Sequence, residues 1–132
     1  MEKKVLANPA AQASAVPLSP GLIAGPFVFI SGQVGTDPAT GRLAGEDVEA
    51  QTRQVLANIQ TLLAQEGLDL TDVVKTTVFL TRIGDFQAMN GVYQSFFRTP
   101  LPTRSTIGVA ALARPELVVE IEAIALRRSA IS

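Results

Sequence analysis

The sequence predicts an α/β fold of the α+β type, a mixed β-sheet with two helices packed on one face. Three observations lead there. Two long stretches repeat apolar residues at helical spacing, the remaining apolar runs are short and rich in β-branched and aromatic residues, and the two kinds alternate along the chain. The resulting order is strand, strand, helix, strand, helix, strand, strand. At 132 residues with 47% apolar composition and no shift in composition, residues 1–132 read as one domain with one core.

Residues 1–20 mix Ala, Pro and Ser, and Pro9, Pro17 and Pro20 deny regular structure except for an edge strand near Lys4 to Ala7. The segment is expected to drape over the core. Pro26 to Val34 reads as a strand closed by the turn signals Gly35-Thr36-Asp37-Pro38 and Thr40-Gly41, with Ser31, Gly32 and Gln33 near its exit. Glu46 to Glu66 reads as a helix, because Val48, Val55, Ile59, Leu62 and Leu63 share a stripe from which Glu49, Arg53, Gln60 and Gln65 are absent. Glu46, Asp47 and Glu49 complement its positive end, and Gly67 is placed to stop it.

Val73 to Thr81 is β-branched almost throughout and predicts a strand, with Lys75 on a solvated face. Asp85 is placed to cap a second helix running to Phe97, whose apolar stripe is Phe86, Met89, Tyr93, Phe96 and Phe97. Gly91 inside that helix suggests close packing or backbone approach. Pro100 and Pro102 end it. Leu101 to Leu112 and Leu117 onward predict the last two strands, joined through Ala113-Arg114-Pro115-Glu116.

Composition excludes several chemistries. There is no cysteine and no histidine, which removes disulfides, thiolate nucleophiles, imidazole bases, Cys/His zinc sites and a Ser-His-Asp arrangement within this chain. Catalysis would have to run on carboxylates, Arg, Lys, hydroxyls, amides, backbone and water. A net charge of −1 with scattered basic residues offers no nucleic-acid stripe. Val5-Leu6-Ala7 is cut short by Asn8-Pro9, so no secretion signal is expected, and no apolar run is long enough to cross a bilayer. A cytoplasmic protein is expected. Only 17% of residues are charged, which predicts an apolar surface covered by association.

Against this background Arg104 and Glu120 stand out, because each sits inside a stretch of β-branched and apolar residues. An ionised group there is costly unless it is paired or faces a cavity, and functional sites are where such costs are tolerated. They are the first candidates for a site.

The motifs carrying these residues form a pattern. Ile30-Ser31-Gly32-Gln33, Val74-Lys75-Thr76-Thr77-Val78-Phe79-Leu80, Asp85-Phe86 with Asn90 and Tyr93, Pro102-Thr103-Arg104-Ser105, and Val119-Glu120-Ile121-Glu122-Ala123 resemble the RidA/YjgF family in order and spacing. The likeness covers nearly everything after residue 20. It implies a chorismate-mutase-like fold, a homotrimer with ligand clefts between subunits, and hydrolysis of reactive enamines and imines such as 2-aminoacrylate to 2-keto acids and ammonia. It implies no cofactor and no metal. By the same resemblance Arg104 matches the arginine that holds the substrate carboxylate, and Glu120 the acid beside the attacking water. Ser31 and Asn90 match polar positions of the cleft, and the backbone carbonyl of Thr106 one that helps place the water. The chain departs from the family pattern where a tyrosine is usual, around Val16-Pro17-Leu18, where many members carry cysteine in place of Thr106, and in a short connection between Phe97 and Pro102.

The residues also have plainer readings. Arg104 and Glu120 could pair as a structural salt bridge at a subunit boundary. Ser31 and Asn90 fit local hydrogen bonding, Tyr93 fits the core, Glu122 a solvated or interface position, and Arg127-Arg128 a solvated tail. The function read from the whole is an imine deaminase acting on a small 2-imino acid. The alternatives are a non-catalytic protein that binds a small keto acid for regulation, a family enzyme with a narrower substrate of the 2-aminomuconate type, and a ribonuclease, which near-zero charge and the lack of histidine disfavour.

Overall fold

The computed structural model describes residues 2–7 and 16–128; the break expected at Asn8-Pro9 lies outside them. Six strands form, β1 (Lys3–Leu6), β2 (Gly21–Ala24), β3 (Phe27–Val34), β4 (Val73–Leu80), β5 (Thr103–Gly108) and β6 (Val119–Leu126), together with helices α1 (Val48–Ala64) and α2 (Phe86–Phe96). They make one mixed sheet in the order β1-β2-β3-β6-β4-β5. Every neighbouring pair is antiparallel except β4 and β5, which run parallel because α2 carries the chain back across the sheet between them.

Strand alternation sorts the side chains into two faces. Val28, Ile30, Val78, Leu80, Ile121, Ala123 and Ala125 turn to one face and are buried against Val55, Leu56, Ile59, Leu62 and Leu63 of α1 and Met89 and Tyr93 of α2. This is the core, with both helices on one side as the periodicity predicts. The opposite face carries Phe27, Phe29, Lys75, Phe79, Ile107, Glu120 and Glu122 in register across four strands. Here Phe27, Phe29 and Ile107 remain 41%, 41% and 45% exposed, so this face is open and partly apolar.

Helix α1 starts as its sequence directs. Asp47 caps it, its carboxylate accepting from the Ala50 amide at 2.7 Å. Gly67, at φ +68°, ends it: the Leu68 amide donates to the Leu63 carbonyl and the Gly67 amide to Ala64, the pair of bonds that makes a Schellman motif. Gln51, fully buried in α1, donates to the carbonyls of Gly45 and Glu116 and accepts from the Val118 amide, tying the helix to the segment that enters β6.

The structure adds to or corrects four expectations. Strand β2 was absent from the predicted order. It is a four-residue run, turned into β3 by Gly25 (φ +59°) and Pro26, the residue order a two-residue hairpin with positive φ at its first position requires. Pro26 therefore belongs to the turn. Second, Asp85 occupies the position before α2 but its side chain makes no capping bond, because Ile83–Asp85 form a 3₁₀ turn leading into the helix. Third, Gly91 is not a site of close approach: a Cβ there would meet nothing within 4 Å. Fourth, β5 and β6, consecutive in sequence, are not neighbours, since β4 lies between them.

Candidate functional site

Arg104 is placed by the parallel pair. Its register partner on β4 is Thr76, so its side chain leaves the sheet on the helix-bearing face, at the edge strand. There the guanidinium lies 4.8 Å from the ring centre of Tyr93 and 5.7 Å from that of Phe86, and the ring faces attract the cation without neutralising it. Tyr93 is a firm support. Its hydroxyl shares a 2.7 Å hydrogen bond with the Thr76 hydroxyl, and its ring stacks on Phe97 at 4.4 Å. Burial pushes the Tyr93 hydroxyl's pKa up, against the opposing pull of Thr76 and the Arg104 charge. The Arg104 side chain makes no hydrogen bond and none of the salt bridges among the described residues.

The guanidinium opens into a hollow of about 700 Å³ that Asn90 also lines. Asn90 Oδ1 is buried with no hydrogen-bond partner. A buried acceptor left in that state typically costs about 1–3 kcal/mol. The unpaired cation and Asn90 thus line one hollow, with the amide oxygen of Asn90 turned into the protein.

Glu120 is on the other side of the sheet. It lies opposite Val34 of β3 and Phe79 of β4, on the open face. Its carboxyl rests on the main chain of Gly32, where a Cβ would come within 2.2 Å of Oε2. The register of β3 shifts between Ile30 and Gln33, a bulge that brings Gly32 under the acid. Partial burial raises the Glu120 pKa, and the neighbouring Glu122 charge adds to that. Ser31, at the same bulge, donates from its hydroxyl to the Ser19 carbonyl at 2.7 Å and from its amide to Pro20 at 2.9 Å. Ser31 and Glu122 line a second hollow of about 400 Å³ with Phe29 and Lys75.

The candidate residues therefore fall into two groups. Arg104 and Asn90 meet in one hollow, and Thr106 follows on the same face of β5, partly buried. Ser31 and Glu120 stand together on the open face. The groups do not meet within one chain, because β4 separates β5 from β6 and the two charged residues are opposite in strand phase. No ion pair joins Arg104 to Glu120 within the chain.

The sequence reading missed part of the Arg104 hollow. Tyr93 is core, as expected, but it is also the bed of the guanidinium, and Gln87, Gln94 and Arg98 line the cavity as well. A signal was present: Gln87, Asn90 and Gln94 recur at three and four residues, the polar stripe of an amphipathic helix. Among the described residues no cluster of three or more carboxylates could hold a metal ion, and no helix is long and apolar enough to cross a membrane.

A six-stranded mixed sheet backed by two helices, with an arginine on its parallel edge and a carboxyl seated on a glycine bulge, defines a small mixed α+β domain. The chain belongs to the endoribonuclease L-PSP family, which is the RidA/YjgF family: the family model matches residues 8–127. It is 42% identical over 128 residues to the 2-iminobutanoate/2-iminopropanoate deaminase of Salmonella typhimurium, covering 95% of this chain and 98% of that one. It is 43% identical over 111 residues to a RutC family protein of Pyrococcus horikoshii, covering 84% and 87%. The crystal structure of TdcF from E. coli with bound serine is similar with a TM-score of 0.86 at 38% identity, covering 94% and 98%.

Proposed function

We propose that this chain hydrolyses small reactive 2-imino acids, of the 2-aminoacrylate type, to 2-keto acids and ammonia in the cytoplasm, at clefts completed by a second copy of the chain. The observation that carries the reading is the Arg104 guanidinium, held against Tyr93, unpaired, and open to a cavity. A planar guanidinium can take the substrate carboxylate through two parallel hydrogen bonds, an anchor that fixes the position of the imine carbon. Asn90, which lines the same hollow, is the polar neighbour we place beside the bound substrate.

The protonated imine is already an electrophile, so water can attack its carbon without a covalent nucleophile, and a chain lacking Cys and His is equal to the task. Glu120 is the group we assign to the proton transfers, taking one from the attacking water and passing it to the departing nitrogen. Its raised pKa suits that exchange better than an ordinary carboxylate would. Ser31 and the Thr106 carbonyl help seat the substrate and the water. Because Arg104 and Glu120 leave opposite faces of one sheet, the shared cleft we propose sets the open face of one copy against the β5 edge of the next, a head-to-tail contact of the kind that can close into a ring. The family resemblance supports reading that ring as a homotrimer.

The test is to supply 2-aminoacrylate from a serine dehydratase and follow keto-acid release. Wild-type protein should accelerate it, and Arg104→Ala should lose about 10- to 100-fold, the effect of a charge-assisted contact. A keto-acid rate unchanged by the wild-type protein, or full activity in Arg104→Ala, overturns the reading. Binding of the keto acid without turnover would establish instead the regulatory carboxylate-binding alternative.

A further inference from the structure

We infer that the Arg104 hollow selects a dianion, a 2-imino or 2-keto dicarboxylate, and that Arg98 is the residue that selects it; the imine part of this rests on the deaminase reading above.

Among the described residues of one copy of the chain the hollow is lined by two arginines, Arg98 and Arg104, and by no carboxylate, so Glu120 of a second copy is the one acid we bring to it. Arg114 and Arg128 are matched by acids in this chain, Arg114 by Glu116 and Arg128 by Asp69 and Asp72, whereas among the described residues the side chains of Arg98 and Arg104, like those of Arg42, Arg53 and Arg82, make neither a salt bridge nor a hydrogen bond; what sets Arg98 and Arg104 apart is that they line one hollow. Two like charges sharing a cavity repel each other and raise its positive potential. One carboxylate offsets only one of them. A guest with a carboxylate at each end offsets both, its first carboxylate on Arg104 over the Tyr93 ring and its second on Arg98 at the rim.

The rest of the lining fits the same guest. Gln87, Asn90 and Gln94 add neutral amide groups to the same lining, so its polar groups are cationic or neutral and none is anionic. The groove that one copy contributes, about 700 Å³ and open on one side, has room for more than a three-carbon imino acid. Its floor is fixed by the Thr76–Tyr93 bond and the Tyr93–Phe97 stack, so the cavity is preformed. Hydrolysis of such a substrate balances as for any imine: water adds its oxygen to the carbon, the carbon–nitrogen bond breaks, ammonia leaves, and no electrons are exchanged with a partner.

Two measurements separate this inference from the deaminase reading. In the first, calorimetric titration compares 2-oxoglutarate with 2-oxobutanoate. The dicarboxylate should bind at least about tenfold more tightly, as one further charge-assisted contact provides, and its affinity should fall more steeply with salt. Arg98→Gln should reduce the ratio of the two affinities about tenfold, Arg98→Lys should keep the larger part of it, and Arg98→Glu should favour the monocarboxylate. Equal affinities, or a ratio unmoved in Arg98→Gln, overturn the inference. A role confined to complementing the C-terminal end of α2 would lower stability without moving the ratio, and it too would overturn the inference.

In the second, keto-acid release is followed with 2-iminosuccinate, made by an aspartate oxidase, and with 2-iminopropanoate, made by an amino-acid oxidase from alanine. A preference for the dicarboxylate in kcat/KM that falls in Arg98→Gln supports both readings. Dianion-selective binding with no turnover of either imine sustains the ligand class and removes the deaminase. Turnover of both imines with no dependence on Arg98 does the reverse.

Discussion

Glu120 bears a cost that can be read against pH. Burial raises its pKa first and Glu122 raises it further, so the folded state binds protons that the unfolded state has released. Stability therefore falls as pH rises from the ordinary glutamate value through the raised one, and the penalty is complete above the folded pKa. Glu120→Gln should stabilise the protein at about pH 7, with the gain shrinking as pH falls to about 4.3, where the unfolded carboxyl is itself protonating. Urea unfolding at the two pH values measures this, and an equal change at both would count against it. Under the proposed chemistry the same substitution removes the proton carrier, so the more stable variant should be the less active one. Arg104 and Glu120 were visible in sequence because a charge in a β-branched run is conspicuous. Their supports were less so, since Thr76 reads as an ordinary strand former and Tyr93 as an ordinary core aromatic.

At the scale of elements, α2 carries a residue that the fold does not need. Gly91 is exposed, lies inside the helix, and an added methyl would meet nothing within 4 Å. Gly91→Ala should raise the free energy of unfolding by about 1 kcal/mol, measured by denaturant titration; a loss of stability would show that another copy covers this position. The helices were the most legible elements, because Val48 to Leu63 repeat at a helical period and Asp47 and Gly67 mark the ends. Strand β2 was hidden for the opposite reason. Gly21-Leu22-Ile23-Ala24 is too short to show alternation, and Gly and Pro flank it closely. The positions of Arg104 and Glu120 relative to each other were hidden too, since strand order is set by which edges pair, and the insertion of β4 between β5 and β6 leaves no local mark on either strand.

For the whole molecule, the division of the candidate residues between two faces makes assembly the decisive property. Sedimentation should give three times the chain mass of 13.9 kDa; a monomer at working concentrations would leave each hollow without its counterpart. The sharper form of the prediction uses two impaired proteins. Arg104→Ala and Glu120→Gln, each nearly inactive alone, should regain part of the wild-type rate when they are unfolded together and refolded as a mixture, because some clefts then combine an intact arginine with an intact acid. No recovery, despite shown subunit mixing, would contradict clefts shared between copies.

Gln51 has a bearing on how such experiments are judged. It lines neither hollow, yet its amide group fixes Glu116 and Val118, the residues that lead the chain into β6 two positions ahead of the acid. An unbiased activity screen would score changes there beside those at Glu120, and a hunt for chemistry would be misdirected to an amide group that holds the last strand in place.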